Sequence, residues 1–215
     1  MTAAAADRGT RSRRAILDAA TPIFERDGYA AASLNQIIAA SGLTKGGFYY
    51  HFASKQELAL AVLADHNTQW TEQVRLETER HPRAVDRLFA TPRIIARLAE
   101  AGGGPVALRR LTEELARDPA LRDEVCGSIR YGVEATAAQF AQAQAEGTIR
   151  ADLDPGQLAE TAVGGFIGAQ ALTDQLGDKR LAERVEALVR FVRNALEIQP
   201  AGSPSEIEEE DSRAV

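Results

Sequence analysis

Cysteine is nearly missing from this chain. Cys126 is the single cysteine in 215 residues, which excludes an intrachain disulfide and a cysteine-rich zinc site. Histidine is scarce too: His51, His66 and His81 each lack a second ligand at metal spacing, and Asp65 beside His66 is too little. No apolar run approaches the roughly 18 residues that a bilayer span needs. The alanine-rich start lacks the charged region and long apolar core of a signal peptide. No strand leads into a glycine-rich phosphate loop, so Gly102-Gly103-Gly104 reads as a flexible joint running to Pro105. Cys126 has no candidate base near it in sequence. The expectation is a cytoplasmic protein with no catalytic residue, cofactor, metal or membrane contact.

What is present is concentrated in Ser33–Lys55. Ser33 precedes Leu34, Ile37 and Ile38, the spacing of one helical face, and Gln36 gives it capping-box form. Gly42 suits the left-handed residue after a helix end, with Leu43 as the buried plug of the turn. Thr44 is placed to cap a second helix whose inward side is Phe48 and Phe52. Gly46, Gly47, Tyr49 and Tyr50 then point away from those phenylalanines. A glycine on an exposed helical face costs roughly 1 kcal/mol against alanine. That cost makes sense where something must approach the backbone closely. Ser54 and Glu57 form another capping box that starts the next helix at Lys55. The pattern is a helix-turn-helix shaped to lie in a DNA groove. A plain helical pair with core aromatics would leave Gly46, Gly47 and Tyr50 without a purpose.

This pattern resembles the DNA-binding domain of the TetR family of bacterial transcriptional repressors. The residues that carry the resemblance are Gly28-Tyr29, Leu34 to Ile38, Gly42-Leu43, Lys45-Gly46, Tyr49-Tyr50-His51-Phe52 and Ser54-Lys55-Gln56-Glu57-Leu58, within a match from about Arg11 to Val62. It implies an all-α chain: an N-terminal three-helix helix-turn-helix domain over 9–55 and a C-terminal helical ligand-binding and dimerisation domain over 56–199. It places Asn35, Thr44, Lys45, Gly46 and Gly47 at base edges. There Asn35 suits adenine and Lys45 suits guanine acceptors. It places Tyr49, Tyr50, His51 and Lys55 on phosphates, and Ser33 can join them through its hydroxyl and nearby amides. Arg11, Arg13 and Arg14 fit backbone or minor-groove contacts and, equally, a solvated face.

Net charge is −6, the wrong sign for nucleic acid until it is divided. Residues 1–60 hold seven Lys+Arg and five Asp+Glu, leaving 18 and 26 of the chain's 25 and 31 for the remainder. The head is therefore +2 and the body −8, as a DNA-binding head on an acidic body should be. Glu206 to Asp211 adds an acidic tail over 200–215, whose composition reads as disordered.

Beyond the motif the periodicity is helical throughout. A first helix is expected over about Arg11–Asp27, stopped by Gly28 and kinked at Pro22. A fourth runs from Lys55 towards Arg80, with Leu58, Ala61 and Val62 towards the head and Leu60, Leu63, Trp70 and Val74 towards the body. Thr91-Pro92 reads as a helix restart, and Asp118-Pro119 as the start of a long helix over Leu121–Glu146. Two final helices are expected at about Pro155–Leu176 and Lys179–Ile198, separated by Gly177. Gly164, Gly165 and Gly168 permit close helix approach, and Leu181, Val185, Leu188, Val189, Val192 and Leu196 form an apolar stripe. An intrachain hairpin core would use the same residues. The resemblance implies a homodimer through these two helices, reading a double-stranded, pseudo-palindromic operator.

The resemblance also implies a small-molecule effector held in the body, with Trp70, Phe89, Arg130, Tyr131, Phe140, Phe166 and Gln170 as candidate walls. Singly, helical aromatics are more often core. Phe-Tyr-Tyr-His-Phe, Lys-Gln-Glu-Leu-Ala-Leu-Ala-Val and Gly-Phe-Ile-Gly-Ala-Gln resemble actinobacterial gamma-butyrolactone autoregulator receptors. Those receptors place a tryptophan over the ligand near 130–132, where this chain reads Arg-Tyr-Gly, so the ligand class stays open. The function expected is a homodimeric repressor released by its effector. The alternatives are a helical interaction module, or an activator of the same fold without a ligand.

Overall fold

The computed structural model describes residues 3–104 and 107–197; the acidic tail expected over 200–215 lies outside them. The described residues form α1 (Ala3–Ala31), α2 (Leu34–Ala40), α3 (Lys45–His51), α4 (Lys55–Thr78), α5 (Ala84–Glu100), α6 (Arg109–Leu115), α7 (Arg122–Val125), α8 (Gly127–Ala145), α9 (Pro155–Leu176) and α10 (Leu181–Leu196). Strand pairing among them is limited to one isolated bridge between Ile149 and Glu197.

The expected termini are met at most places where glycine or a polar cap was read. Gly42, Gly147 and Gly177 take left-handed angles, and Asp154 caps α9 by accepting from the Gln157 amide at 2.9 Å. In α1 the backbone angles stay helical through Pro22 and depart at Gly28, with φ 74° and ψ −168°. The break therefore falls at the glycine, not at the proline.

Two apolar cores organise the chain. The first gathers Ile16, Ala20 and Phe24 of α1, Ile37 of α2, Phe48 of α3, Phe52, and Leu58, Val62 and Leu63 of α4. Each large side chain removed from water here contributes roughly 1.5–3 kcal/mol. Leu108, Leu111 and Leu115, on or beside α6, and Val125 of α7 close the same core. The head's core thus does not end near residue 55; it recruits helices far along the chain. Leu63 belongs to this core and Leu60 packs against it, in the cluster that joins the head to α6 and α7. The second core gathers Val85, Leu88 and Phe89 of α5, Phe140 of α8, Ala159 of α9, and Leu181, Val185, Val189 and Leu196 of α10.

Several expected boundaries are corrected. α5 runs unbroken across Pro92; the Thr91 hydroxyl donates to the Arg87 carbonyl at 2.8 Å and Arg93 Nη1 to the Phe89 carbonyl at 2.8 Å. These side-chain bonds brace the turn in which proline lacks an amide. The long helix expected over 121–146 is split at Cys126, where ψ is 2°, and Asp118 caps only the Ala120 amide, at 2.9 Å. The glycine joint after α5 is packed: the Gly104 carbonyl lies 2.7 Å from His66 Nε2. A Cβ on Gly104, whose φ is +76°, would stand 2.7 Å from the Trp70 ring. α4 holds this turn in place.

Candidate nucleic-acid interface

α3 is built from its caps outward. Thr44 accepts the Gly47 amide at 3.1 Å, fixing the first turn. Phe48 and Phe52, both essentially buried, plant the inner side of the helix. Their rings lie 5.9 Å apart, and Tyr49 meets Phe48 edge-on at 5.3 Å. Because the inner side is fixed, the outer side is fixed as well. Lys45, Gly46, Tyr49 and Tyr50 are exposed, with His51 and Gly47 half-buried. Tyr50 is 78% exposed, and its ring meets His51 edge-on at 5.0 Å. On α2, Asn35 is exposed and Ser33 half-buried. Ser33 terminates α2 without a side-chain cap bond, so its expected capping box is absent and its hydroxyl carries no helix-capping load.

Gly46 has no structural reason within the chain. A Cβ built there meets nothing within 4 Å, and one on Gly47 makes only ordinary contact with Thr44 and Leu43. The helix bears the glycine cost without internal packing to offset it. A phenol exposed beside bare backbone and a lysine can lie against base edges and phosphates, and does little for the fold itself.

Lys55 is placed differently from the expectation. Its ammonium donates to the carbonyls of Tyr29 at 2.7 Å and Ala32 at 2.9 Å, and stands 4.6 Å from the centre of the Tyr29 ring. Two of its three N–H groups are spent on the bend at the end of α1. At the start of α4, Ser54 accepts from the Glu57 amide at 3.0 Å, while the Glu57 carboxylate takes the Ala53 amide at 2.7 Å. The capping box is thus shifted by one residue on its return bond. Arg14 is held by Asp65 and Asp18, Arg11 pairs with Asp7, and the Arg13 guanidinium lies 5.1 Å from the Phe52 ring. Arg14 serves to tie α1 to α4.

The candidate effector residues sit in different surroundings. Phe89 and Phe140 are core, Phe166 packs against that core, and Trp70 lies under the Gly103–Gly104 turn. Arg130 and Tyr131 are exposed, and Arg130 pairs with Asp123 at 3.2 Å. Gln170 is half-buried on α9. An open cleft of about 750 Å³ lies instead between α5 and α10, lined by Arg93, Arg180, Arg184, Glu186 and Arg190 among others, and includes none of these residues. It was invisible in the sequence because its arginines are spread over two distant helices.

The stripe of α10 faces inward: Leu181, Val185, Val189 and Leu196 belong to the body core, and Gly165 receives Leu188 of the same chain at 3.0 Å. Gly164 and Gly168 meet nothing within 4 Å. Beside them, Ile167, Leu172 and Leu176 of α9 are exposed, as is Phe191 of α10, which is 72% exposed. A bare helix face with an unpacked phenylalanine is left over once the body has closed its core.

Residues 16–62 match the model for bacterial regulatory proteins of the tetR family, and 84–189 match the tetracyclin repressor-like C-terminal domain. The chain is 29% identical over 168 residues to the transcriptional regulator AcuR of Cereibacter sphaeroides, covering 74% of each. It is 28% identical over 174 residues to the A-factor receptor protein of Streptomyces griseus, covering 78% of this chain and 56% of that one. A crystal structure of a TetR transcriptional regulator from Chloroflexus aurantiacus superposes with TM-score 0.77 at 26% identity, covering 90% of this chain and all of the other. No helix among the described residues is long and apolar enough to cross a membrane.

Proposed function

Because the chain belongs to the TetR family of bacterial transcriptional regulators, we propose that it is a homodimeric, cytoplasmic repressor that releases its operator when a small molecule binds the body. The observation that carries this reading is the outer side of α3, where Tyr50 is 78% exposed beside a glycine that the fold does not need. Lys45, Gly46, Gly47 and Thr44 approach base edges, with Asn35 of α2. Tyr49, Tyr50, His51 and Ser33 take phosphates. Lys55 acts from behind, holding the bend on which α2 and α3 are mounted.

The dimer forms through the open side of α9 and α10, using Gly164, Ile167, Gly168 and Phe191, not the inward stripe. A two-fold axis there presents two recognition helices to successive major grooves, about 34 Å apart. The effector acts in the body, with Phe166, Gln170 and Tyr131 on neighbouring helices α8 and α9 as its accessible contacts. The likeness to the A-factor receptor makes a gamma-butyrolactone the first effector to try.

The test is gel retardation of the promoter fragment beside the protein's own gene, against an unrelated fragment of equal length. Specific retardation that is lost in Tyr50→Ala supports the reading. No specific retardation at moderate salt contradicts it.

A further inference from the structure

The bend from Gly28 to Ala32 is clamped from two sides by opposite charges. Lys55 of α4 holds its carbonyls, through Tyr29 and Ala32. Glu114 of α6 holds its amides: Oε2 accepts from Ala30 N at 2.7 Å. Arg110 steadies the other oxygen of Glu114 at 3.0 Å. Glu114 is only 13% exposed, and the Ala30 amide, followed by Arg110 and the Tyr29 amide, holds its carboxyl below the usual range. Gly28 makes room for this contact. Its φ is +74°, and a Cβ there would stand 2.6 Å from Glu114 Oε1 and 2.9 Å from Arg110 Nε.

α6 is the part of the chain beyond α4 that is seated most deeply in the head. Leu108, Leu111 and Leu115 are all buried in the head core. Its approach is fixed by α4 at Gly104, through His66 and Trp70. On its other side Arg109 reaches Asp174 of α9 at 3.1 Å. α6 therefore touches the head core and the body helix α9, while the turn that precedes it is held by α4.

We propose that Glu114 is a positioning residue for DNA recognition: its bond to the Ala30 amide fixes the angle between head and body, and so sets the spacing of the two recognition helices in the dimer. This rests on the dimeric DNA-binding reading above. A carboxylate on a backbone amide is among the stronger hydrogen bonds, and it is directional. Releasing it lets α6, and with it the body, pivot about the Gly28–Ala32 bend while the core shared by α1 to α4 stays packed. One head on half an operator is indifferent to that pivot. Two heads on a full operator are not, because both must meet their grooves at once.

The experiment measures affinity by fluorescence anisotropy for two duplexes: the segment footprinted by the wild-type protein, and the same segment with one half scrambled. Glu114→Ala removes the acceptor, and Glu114→Asp keeps the charge but withdraws it by one methylene. Both are expected to lose at least tenfold on the full duplex, with half-duplex binding within twofold of wild type. If Glu114→Ala does not fold, Glu114→Asp carries the same expectation. Equal losses on both duplexes, or no loss on the full one, overturn the proposal. Wild-type protein that cannot tell the full duplex from the half one refutes the dimeric reading instead.

Discussion

The Lys55 ammonium donates to the Tyr29 carbonyl across 2.7 Å, from the first residue of α4 to the bend at the end of α1. With its second bond, to Ala32, it makes Lys55 a strut within the head. A hydrogen bond to a charged group contributes about 1.5–3 kcal/mol. Lys55→Met should therefore lower the thermal midpoint and weaken operator binding without changing its salt dependence. A lysine on a phosphate would behave otherwise, reducing the salt slope by about 1. Anisotropy titrations across a salt series separate the two roles.

Gly46→Ala should raise stability and lower affinity together. The new Cβ meets nothing in the chain, and the exposed helix gains about 1 kcal/mol from the better former. On DNA the methyl occupies space that backbone now leaves open. A chemical-denaturation curve moving to higher midpoint alongside a weaker operator complex is the expected pair of results. A destabilised variant would show that Gly46 serves the fold.

Thr44→Ala removes the acceptor for the Gly47 amide. Loss of such a cap costs about 1 kcal/mol, and the first turn of α3 frays where Lys45 and Gly46 project. The expected outcome is a small drop in thermal midpoint with a larger drop in operator affinity. Thr44→Ser should restore most of both.

Acid should weaken the α9–α10 corner. Asp178 accepts two charged bonds from Arg184, at 2.6 and 2.7 Å, and the Arg180 amide at 3.1 Å. Chiefly through Arg184 its carboxyl is pulled down to about 2. A folded value below the unfolded one means that the contribution is complete above about pH 4–5 and is lost as pH falls towards 2. The gap in thermal midpoint between wild type and Asp178→Asn should hold near neutrality and close as pH falls through that window.

Residue patterns revealed the parts of the fold that are local. Thr44 as cap, Gly42 and Gly177 as left-handed ends, and Phe48 with Phe52 as inner face all follow from neighbours within one or two turns. What stayed hidden depends on distance along the chain. Leu108, Leu111 and Leu115 lie in a stretch where no helix is expected from the sequence, and nothing local says that they join the head core. Lys55 reads as a surface cation until its partners, 26 and 23 residues earlier, fold beneath it. Glu114 sits in an ordinary amphipathic helix, and its partner Ala30 is 84 residues away. Pro92 misled for a different reason. Proline disfavours helix interiors locally, but α5 is held by the body core on Leu88, Phe89 and Ala96.

The exposed side of α3 is the centre of this account, and guanine N7 lies in the major groove alone. Methylation interference over the footprinted promoter segment therefore asks directly where that side goes. The account predicts interference at guanines in two successive major grooves, about 34 Å apart on one face of the duplex, absent with Tyr50→Ala. A bound complex insensitive to N7 methylation, or sensitive in one groove only, would contradict it.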